Sequence, residues 1–150
     1  MLYDVIIVGK GLIGAATAKH LSLSQKKLAL IGPDEPQDVN EAIVYASHYD
    51  SGRVQRLIGQ TDAMTMLNLS SVKHYSWLEK ETGISFHNGC GCLYVNPLGN
   101  DDYLRAVNGR SQRFGIPAEV YPSNEELKRA FPEFQFPDTS MGMFEPAPSG

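Results

Sequence analysis

The stretch YDVIIVGKGLIG, residues 3–14, decides the fold because a strand, a glycine turn and the start of a helix follow one another in it. Residues 5–9 form an apolar run rich in β-branched side chains, which is typical of a strand buried on both faces. Residues 15–21 are mostly small or good helix formers, and residues 27–31 have the composition of a second strand. The order predicts a β-α-β unit at the start of an α/β protein.

The three glycines of G-x-G-x-x-G have separate physical roles in dinucleotide binding. Gly9 permits the sharp exit from the strand, Gly11 leaves room for a pyrophosphate, and Gly14 lets the helix lie close to the sheet. The first helical turn, which includes Leu12 and Ile13, offers unpaired N–H groups to the phosphates. We therefore predict that these five residues bind a dinucleotide. The alternative is a glycine-rich turn in an ordinary α/β protein.

The end of the second strand lacks the acidic residue that usually holds the adenosine ribose. The sequence LALIGPDEP places Gly32 at that position, followed by Pro33 and Asp34. We expect either that the backbone of Gly32 and Pro33 takes over this contact or that Asp34 reaches back to the ribose. No arginine stands there to bind a 2′-phosphate, so nothing favours NADP.

The composition is that of an ordinary globular protein. The chain has 150 residues, of which 42% are hydrophobic and 20% charged, and this length is enough to bury a core. A formal net charge of -4 gives no electrostatic reason to expect a nucleic-acid partner. No apolar stretch approaches the roughly 18 residues of a membrane span. We expect a cytoplasmic protein with neither a nucleic-acid nor a membrane partner.

Beyond the second strand the pattern changes to mixed α+β material. We expect helices over residues 61–81, 100–114 and 124–131, and strands over residues 84–86, 92–95, 119–121 and 141–144. Ser123 followed by Glu126 forms a capping box for the last helix. The third and fourth strands of a six-stranded doubly wound sheet are missing, so we expect the chain to be the N-terminal part of a larger protein or one piece of a split one.

Two kinds of potential metal ligand are interpreted as structural. Cys90 and Cys92 are separated by a single glycine, a spacing that lacks the usual zinc geometry, so we expect small buried strand residues. The apolar residues of the helix over 61–81 are expected to be core. His74 in that helix has no partner at metal-ligand spacing, and we expect it to be exposed or to have a satisfied neighbour.

Residues 42–59 carry polar groups too dense for a core helix and too varied for a linker. Within them, Ser47 and His48 are followed by Arg53 and Arg56 at the spacing S-H-x-x-x-x-R-x-x-R. From the residues alone, two interpretations of the arginines stay open: surface salt-bridge formers on a helix face, or ligands of an anionic group.

Six segments together carry a family resemblance: YDVIIVGKGLIGAATAKHL, SHYDSGRVQR, WLEKETG, GCLYVNPLG, SNEELKRAFPEF and MGMFEPAPSG. The sequence resembles the amine-oxidising flavoproteins of the D-amino acid oxidase superfamily, most closely the monomeric sarcosine oxidase and N-methyltryptophan oxidase group. The resemblance implies a Rossmann-like FAD-binding start followed by α+β material of a two-domain flavoprotein. Residues 1–60 would form the first half of the FAD-binding domain. Residues 61–95 would bridge toward the substrate domain, and residues 96–150 would begin that domain and add a return strand.

The resemblance also implies roles for residues of the polar segment. Arg56 would anchor the substrate carboxylate, while Ser47, His48 and Arg53 would lie beside the isoalloxazine or the pyrophosphate of FAD. Tyr49, which stands where sarcosine oxidase has a second histidine, is the other candidate catalytic residue. Gly59 stands where that group has an active-site tyrosine, so the resemblance favours an amino acid or amine substrate without pointing to sarcosine.

The implied function is FAD-dependent oxidation of the C–N bond of an amino acid or secondary amine to an imine, with oxygen or another acceptor reoxidising the flavin. A second chain or a C-terminal half would complete the site. Two alternatives stay open: an NAD-dependent dehydrogenase that uses the same glycine turn, and a non-catalytic nucleotide-binding subunit. The nicotinamide alternative predicts NADH binding without flavin.

Overall fold

A computed structural model describes residues 2–38, 40, 42, 52–97 and 101–150. They belong to two compact units, Met1–Arg53 and Val54–Gly150. In the described part of the chain no helix has the length and apolar character needed to cross a membrane. The division of residues 1–150 into three functional segments stays a prediction.

The first unit is the β-α-β element that the glycine pattern predicts. Strand β1 (Val5–Val8) is followed by helix α1 (Leu12–Ser22) and strand β2 (Leu28–Ile31). The two strands pair in parallel, with Val5 opposite Leu28 and Val8 opposite Ile31. The Rossmann-like start is therefore confirmed, although each strand is one residue shorter than the sequence pattern indicates.

The second unit packs helices against a three-stranded antiparallel sheet. Its elements are α2 (Asp62–Val72), α3 (Tyr75–Thr82), β3 (Cys92–Pro97), α4 (Asp101–Phe114), β4 (Glu119–Tyr121), α5 (Asn124–Ala130) and β5 (Ser140–Glu145). The strand order is β3-β5-β4, so β5 lies in the centre. The buried core cluster consists of Leu57, Ile58, Tyr94, Leu104, Val107, Ile116 and Met143. Helix α5 begins as predicted, since the Ser123 hydroxyl accepts a hydrogen bond from the Glu126 N–H.

The prediction of one continuous helix over residues 61–81 is wrong. The chain forms α2 and α3, separated at Lys73 and His74, because the His74 N–H donates to the carbonyl of Ser71 at 2.9 Å. This bond spans three residues and tightens the turn, which interrupts the α-helical ladder. The predicted core face is also only partly buried: Leu69 packs against the core, whereas Leu67 is exposed. His74 is exposed, as expected.

The strand predicted over residues 84–86 does not form. The N–H groups of Phe86 and His87 instead donate to one carboxylate oxygen of Glu79, at 2.7 and 2.9 Å. These two bonds, His87 first, lower the pKa of the Glu79 carboxyl. The side chain of Glu79, in the second half of α3, thus satisfies backbone donors that a sheet ladder would otherwise use.

The interpretation of both cysteines as buried strand residues is corrected for Cys90. Cys92 begins β3 and is half-buried, but Cys90 precedes the strand and is exposed. Gly91 between them has φ +89, a left-handed conformation that an extended strand does not contain. Within the described ranges, no group of three or more His, Cys, Asp or Glu residues is arranged to hold a metal ion.

Candidate functional site

The glycine turn joins β1 to α1 with the geometry that close packing demands. Gly9 has φ +109, and its N–H donates to the carbonyl of Ile31 at 2.7 Å, so the turn is tied to the end of β2. A Cβ placed on Gly14 would overlap the carbonyl oxygen of Gly9. Both positions therefore require glycine for backbone reasons, one for its dihedral angle and one for its lack of a side chain.

The N-terminus of α1 is open among the described residues of the first unit. Gly11 is the N-cap, no side chain caps the helix, and the first turn contains no acidic residue. A Cβ on Gly11 would meet no atom of the residues that the structure describes within 4 Å. The first ladder bond is that from the Ala15 N–H to the Gly11 carbonyl, at 2.9 Å. Leu12 and Ile13 in the first turn are exposed. This end of the helix combines a positive dipole with room for an anion to approach.

The end of β2 lies directly beside the turn through Lys10. A Cβ on Gly32 would stand 2.8 Å from the backbone nitrogen of Lys10, so glycine is needed there as well. The Lys10 ammonium forms an ion pair with the Asp34 carboxylate. This hydrogen bond, and then the charge of Lys10, lower the pKa of Asp34. Pro33, which lies between Gly32 and Asp34 in the sequence, is exposed. The Lys10 side chain is therefore directed over Gly32 rather than over Gly11.

Three residues of the predicted polar cluster, Ser47, His48 and Tyr49, lie outside the described residues. Arg53 is exposed at the end of the first unit, and its guanidinium donates to the Gly52 carbonyl at 3.3 Å. Arg56 belongs to the second unit. Each arginine therefore has a described environment within its own unit.

Arg56 is half-buried and contacts an aromatic ring. Its guanidinium carbon lies 6.0 Å from the centroid of the Tyr94 ring, at the outer limit of a cation–π contact. Such a contact orients the planar guanidinium while leaving its N–H groups directed elsewhere. The structure thus places Arg56 in a defined environment rather than on a solvated helix face.

The backbone on both sides of Arg56 is hydrogen-bonded. Gln55 and Gly150 exchange two bonds, with Gln55 N–H to Gly150 carbonyl at 2.6 Å and the reverse bond at 2.9 Å. On the other side, the N–H groups of Leu57 and Ile58 donate to the carboxylate of Glu145, Leu57 to Oε1 and Ile58 to Oε2, the latter at 3.1 Å. Arg56 is therefore carried by a segment fixed at both ends.

Gly59 extends this anchoring to the start of α2. Its N–H donates to the Thr65 hydroxyl at 3.0 Å, and its carbonyl accepts from Arg110 Nε at 2.9 Å. A Cβ on Gly59 would lie 2.6 Å from the Cβ of Met64. A tyrosine, which the sarcosine oxidase group has at this position, therefore does not fit this backbone.

Glu145 is a fully buried carboxylate at the end of the central strand β5. Besides the two backbone donors, it accepts from the hydroxyls of Ser149 and Tyr94, the latter at 3.0 Å. Burial, and then the negative charge of Glu145, raise the pKa of the Tyr94 phenol far above its ordinary value, against the opposing charge of Arg56. The protonated Tyr94 hydroxyl donates to this carboxylate.

Sequence reasoning missed Tyr94, Glu145 and Ser149. The one local signal is a single acidic residue that directly follows the apolar run over residues 141–144, where a strand end in the core makes an unpaired carboxylate expensive. The partners of that carboxylate come from distant parts of the chain, which a sequence pattern does not bring together.

Comparison with known proteins places these features in a family. The model of the DAO family, described as FAD dependent oxidoreductase, matches residues 4–148. N-methyl-L-tryptophan oxidases of Yersinia pestis (strain Pestoides F) and Yersinia pseudotuberculosis serotype O:1b (strain IP 31758) are each 26% identical over 147 residues. These matches cover 97% of this chain and 38% of each relative. The chain therefore spans less than half the length of these relatives.

A solved structure shares the fold. The L-proline dehydrogenase of P. horikoshii matches with a TM-score of 0.71 and 19% sequence identity, over 98% of this chain and 37% of that one. The likeness supports the fold expected from the sequence, a β-α-β start followed by mixed α+β material within a larger protein. At this level of identity it carries no information about the reaction.

The glycine turn fits the cofactor of this family. The open space at Gly11, the uncapped start of α1 and the close approach enforced at Gly14 are what a dinucleotide pyrophosphate requires of the protein. FAD contains such a pyrophosphate. From the match over residues 4–148 and this geometry, the chain belongs to the DAO family of FAD-dependent oxidoreductases.

Proposed function

We propose that the complete protein oxidises the C–N bond of an amino acid or secondary amine to an imine, and that Arg56 binds the carboxylate of the substrate. The observation that carries the proposal is the placement of Arg56, half-buried over the Tyr94 ring on a segment with hydrogen bonds on both sides. The N-methyl-L-tryptophan oxidases among the relatives, which act on an N-methylated amino acid by name, support the substrate class.

In this proposal the protein supplies binding and orientation. When bound, FAD would supply the two-electron acceptor: it would take a hydride from the substrate carbon, while the proton on nitrogen would go to solvent. The Arg56 fork donates two parallel N–H bonds to the substrate carboxylate, which fixes both its position and its direction. The C–H bond next to the amine is thereby held in one orientation, and positioning of this kind accounts for a large part of catalysis.

The remaining predicted residues would hold the cofactor. The N–H groups at Gly11, Leu12 and Ile13 would bind the pyrophosphate, and the backbone of Gly32 and Pro33 would lie beside the ribose. Asp34 already pairs with Lys10, which supports the backbone alternative for the ribose contact.

For the polar segment we keep the predicted roles, with Ser47, His48 and Arg53 beside the flavin or the pyrophosphate and Tyr49 in the catalytic site. A second chain or a C-terminal half would supply the rest of the pocket. Family membership favours FAD over the nicotinamide alternative.

The visible absorbance band of oxidised flavin in the purified complete protein tests the cofactor. Arg56→Ala then tests the anchor, since loss of a bidentate carboxylate contact should raise KM for a carboxylated amine at least about tenfold. Arg105→Ala is the matched control, because Arg105 is an exposed arginine on α4 paired with Asp101 at 3.1 Å. A flavin-containing protein whose KM is the same in both variants would contradict the role of Arg56.

A further inference from the structure

We propose that Tyr94 and Glu145 are positioning residues for Arg56, which hold its guanidinium in the direction needed to receive a carboxylate. The inference rests on the proposed function of Arg56 and adds two residues to which the sequence patterns and the comparisons assign no role. It follows from three features of the second unit: the bonds to Glu145, the ring contact of Tyr94, and the burial of both groups.

Glu145 fixes the backbone immediately after Arg56. Each of its carboxylate oxygens accepts one backbone N–H, Oε1 from Leu57 and Oε2 from Ile58. Two consecutive N–H groups directed at one carboxylate determine the orientation of both peptide planes. Because the first of these planes joins Arg56 to Leu57, the direction in which the Arg56 side chain leaves the backbone is set by this contact.

Tyr94 connects that carboxylate to the guanidinium itself. Its hydroxyl lies 3.0 Å from Glu145 Oε2 and 3.3 Å from the carbonyl of Ile58, while its ring faces Arg56. A single residue therefore contacts the side chain of Arg56 with one end and the anchoring carboxylate with the other. The hydroxyl fixes where the ring stands, and the ring limits where the guanidinium lies.

The cost of this arrangement supports a role beyond packing. Glu145 is 0% and Tyr94 6% exposed, and a carboxylate removed from water is expensive unless every lone pair is used. An apolar pair of similar volume would fill the same space without that cost. The carboxylate does what an apolar residue cannot, which is to hold two consecutive N–H groups beside an arginine.

The experiment compares Tyr94→Phe with Tyr121→Phe in the complete flavin-containing protein. Both changes remove one tyrosine hydroxyl from the same sheet, and the Tyr121 hydroxyl donates to Glu119 at 2.6 Å on strand β4. The substrates are N-methyl-L-tryptophan and L-proline, each paired with the amine that lacks its carboxylate, N-methyltryptamine and pyrrolidine. Tyr94→Phe should raise KM for the carboxylated substrates about fivefold, change kcat by less than about twofold, and leave KM for the two amines unchanged.

A measurement without turnover accompanies the kinetics. Indole-3-propionate, which is tryptophan without its amino group, is titrated into the oxidised protein and followed through the flavin absorbance band. Its Kd should rise about fivefold in Tyr94→Phe and stay constant in Tyr121→Phe. Glu145→Gln is the second variant and should raise the same Kd by at least as much.

Equal losses for carboxylated and decarboxylated substrates would overturn the proposal, because a general loosening of the fold does not discriminate between them. An unchanged Kd for indole-3-propionate in both Tyr94→Phe and Glu145→Gln would overturn it as well. Arg56→Ala separates this failure from that of the proposed function. If Arg56→Ala abolishes the preference for carboxylates and Tyr94→Phe does not, the anchor stands and its positioning by Tyr94 is wrong. If Arg56→Ala has no effect, both are wrong.

Discussion

Replacing Glu145 by glutamine changes one oxygen of a buried group into a nitrogen. The change should make local opening of the segment that follows Arg56 more frequent. In the native protein each carboxylate oxygen accepts one backbone N–H and one hydroxyl. An amide NH₂ in either place would face a backbone N–H, of Leu57 or of Ile58. The hydroxyls can rotate to accept from the amide, but a backbone N–H cannot.

The size of the effect follows from that single mismatch. A buried donor left without an acceptor costs about 1–3 kcal/mol. Because the unpaired donor destabilises the closed form of the segment, the free energy of local opening falls by the same amount. Amide exchange at Leu57 and Ile58 should therefore become about 5-fold to 150-fold faster. Residues beyond the segment should keep their protection.

Native-state hydrogen exchange, read on the peptide that contains residues 54–60, measures this opening directly. Glu119→Gln is the matched control, since Glu119 lies on β4 and its carboxylate accepts the phenol hydroxyl of Tyr121 and no backbone N–H of the described residues. Unchanged exchange at Leu57 and Ile58 in Glu145→Gln would refute the reasoning, because it would mean that the carboxylate does not hold these amides. Acceleration over the whole second unit would instead indicate global destabilisation.

Three further predictions concern single groups. Gly14→Ala should abolish flavin binding at the glycine turn, because the added methyl overlaps a backbone oxygen, and the ratio of flavin absorbance to protein absorbance measures the loss. Burial, then the charge of a neighbouring carboxylate, raise the pKa of the Cys92 thiol, so iodoacetamide should alkylate the exposed Cys90 first, and equal rates by peptide mass spectrometry would contradict this. Lys10→Ala should return the lowered pKa of Asp34 toward 3.8 in a carboxyl NMR titration. Since the folded-state pKa is the lower one, the pair stabilises the fold above pH 3.8 and loses this contribution as the pH falls through the folded-state value; an unchanged titration would exclude the pair.

The parts of the fold that the sequence predicts are those with local signals. The β-α-β start depends on three glycines within six residues and on the apolar run before them, and helix α5 depends on a serine cap directly before it. The sequence does not predict the break between α2 and α3, because one hydrogen bond of the His74 N–H decides it. Its only sign in the sequence is the irregular spacing of the apolar residues, which a continuous helix also tolerates. The sequence also does not show that the strand predicted over residues 84–86 fails to form, because the acceptor for the Phe86 and His87 N–H groups is the side chain of Glu79.

The candidate site divides in the same way. The sequence identifies Arg56 as a candidate through its spacing to Arg53 and through the family resemblance of the segment that contains both. The sequence does not identify Tyr94 and Glu145, the residues that contact Arg56 and its backbone. Tyr94 is separated from its partner Ile58 by 36 positions, and Glu145 from its partner Leu57 by 88. Contacts over such separations depend on how β3 and β5 pair, which local propensity does not determine.

The reciprocal bonds between Gln55 and Gly150 mean that the second unit closes on itself, since residues near its two ends are joined. Within this module the separation of Gln55 and Gly150 is set by their own pair of hydrogen bonds and not by the loops between them. Lengthening or shortening a loop within the module should therefore leave the separation of these two points unchanged. Such closure keeps the backbone beside Arg56 in place when those loops vary in length.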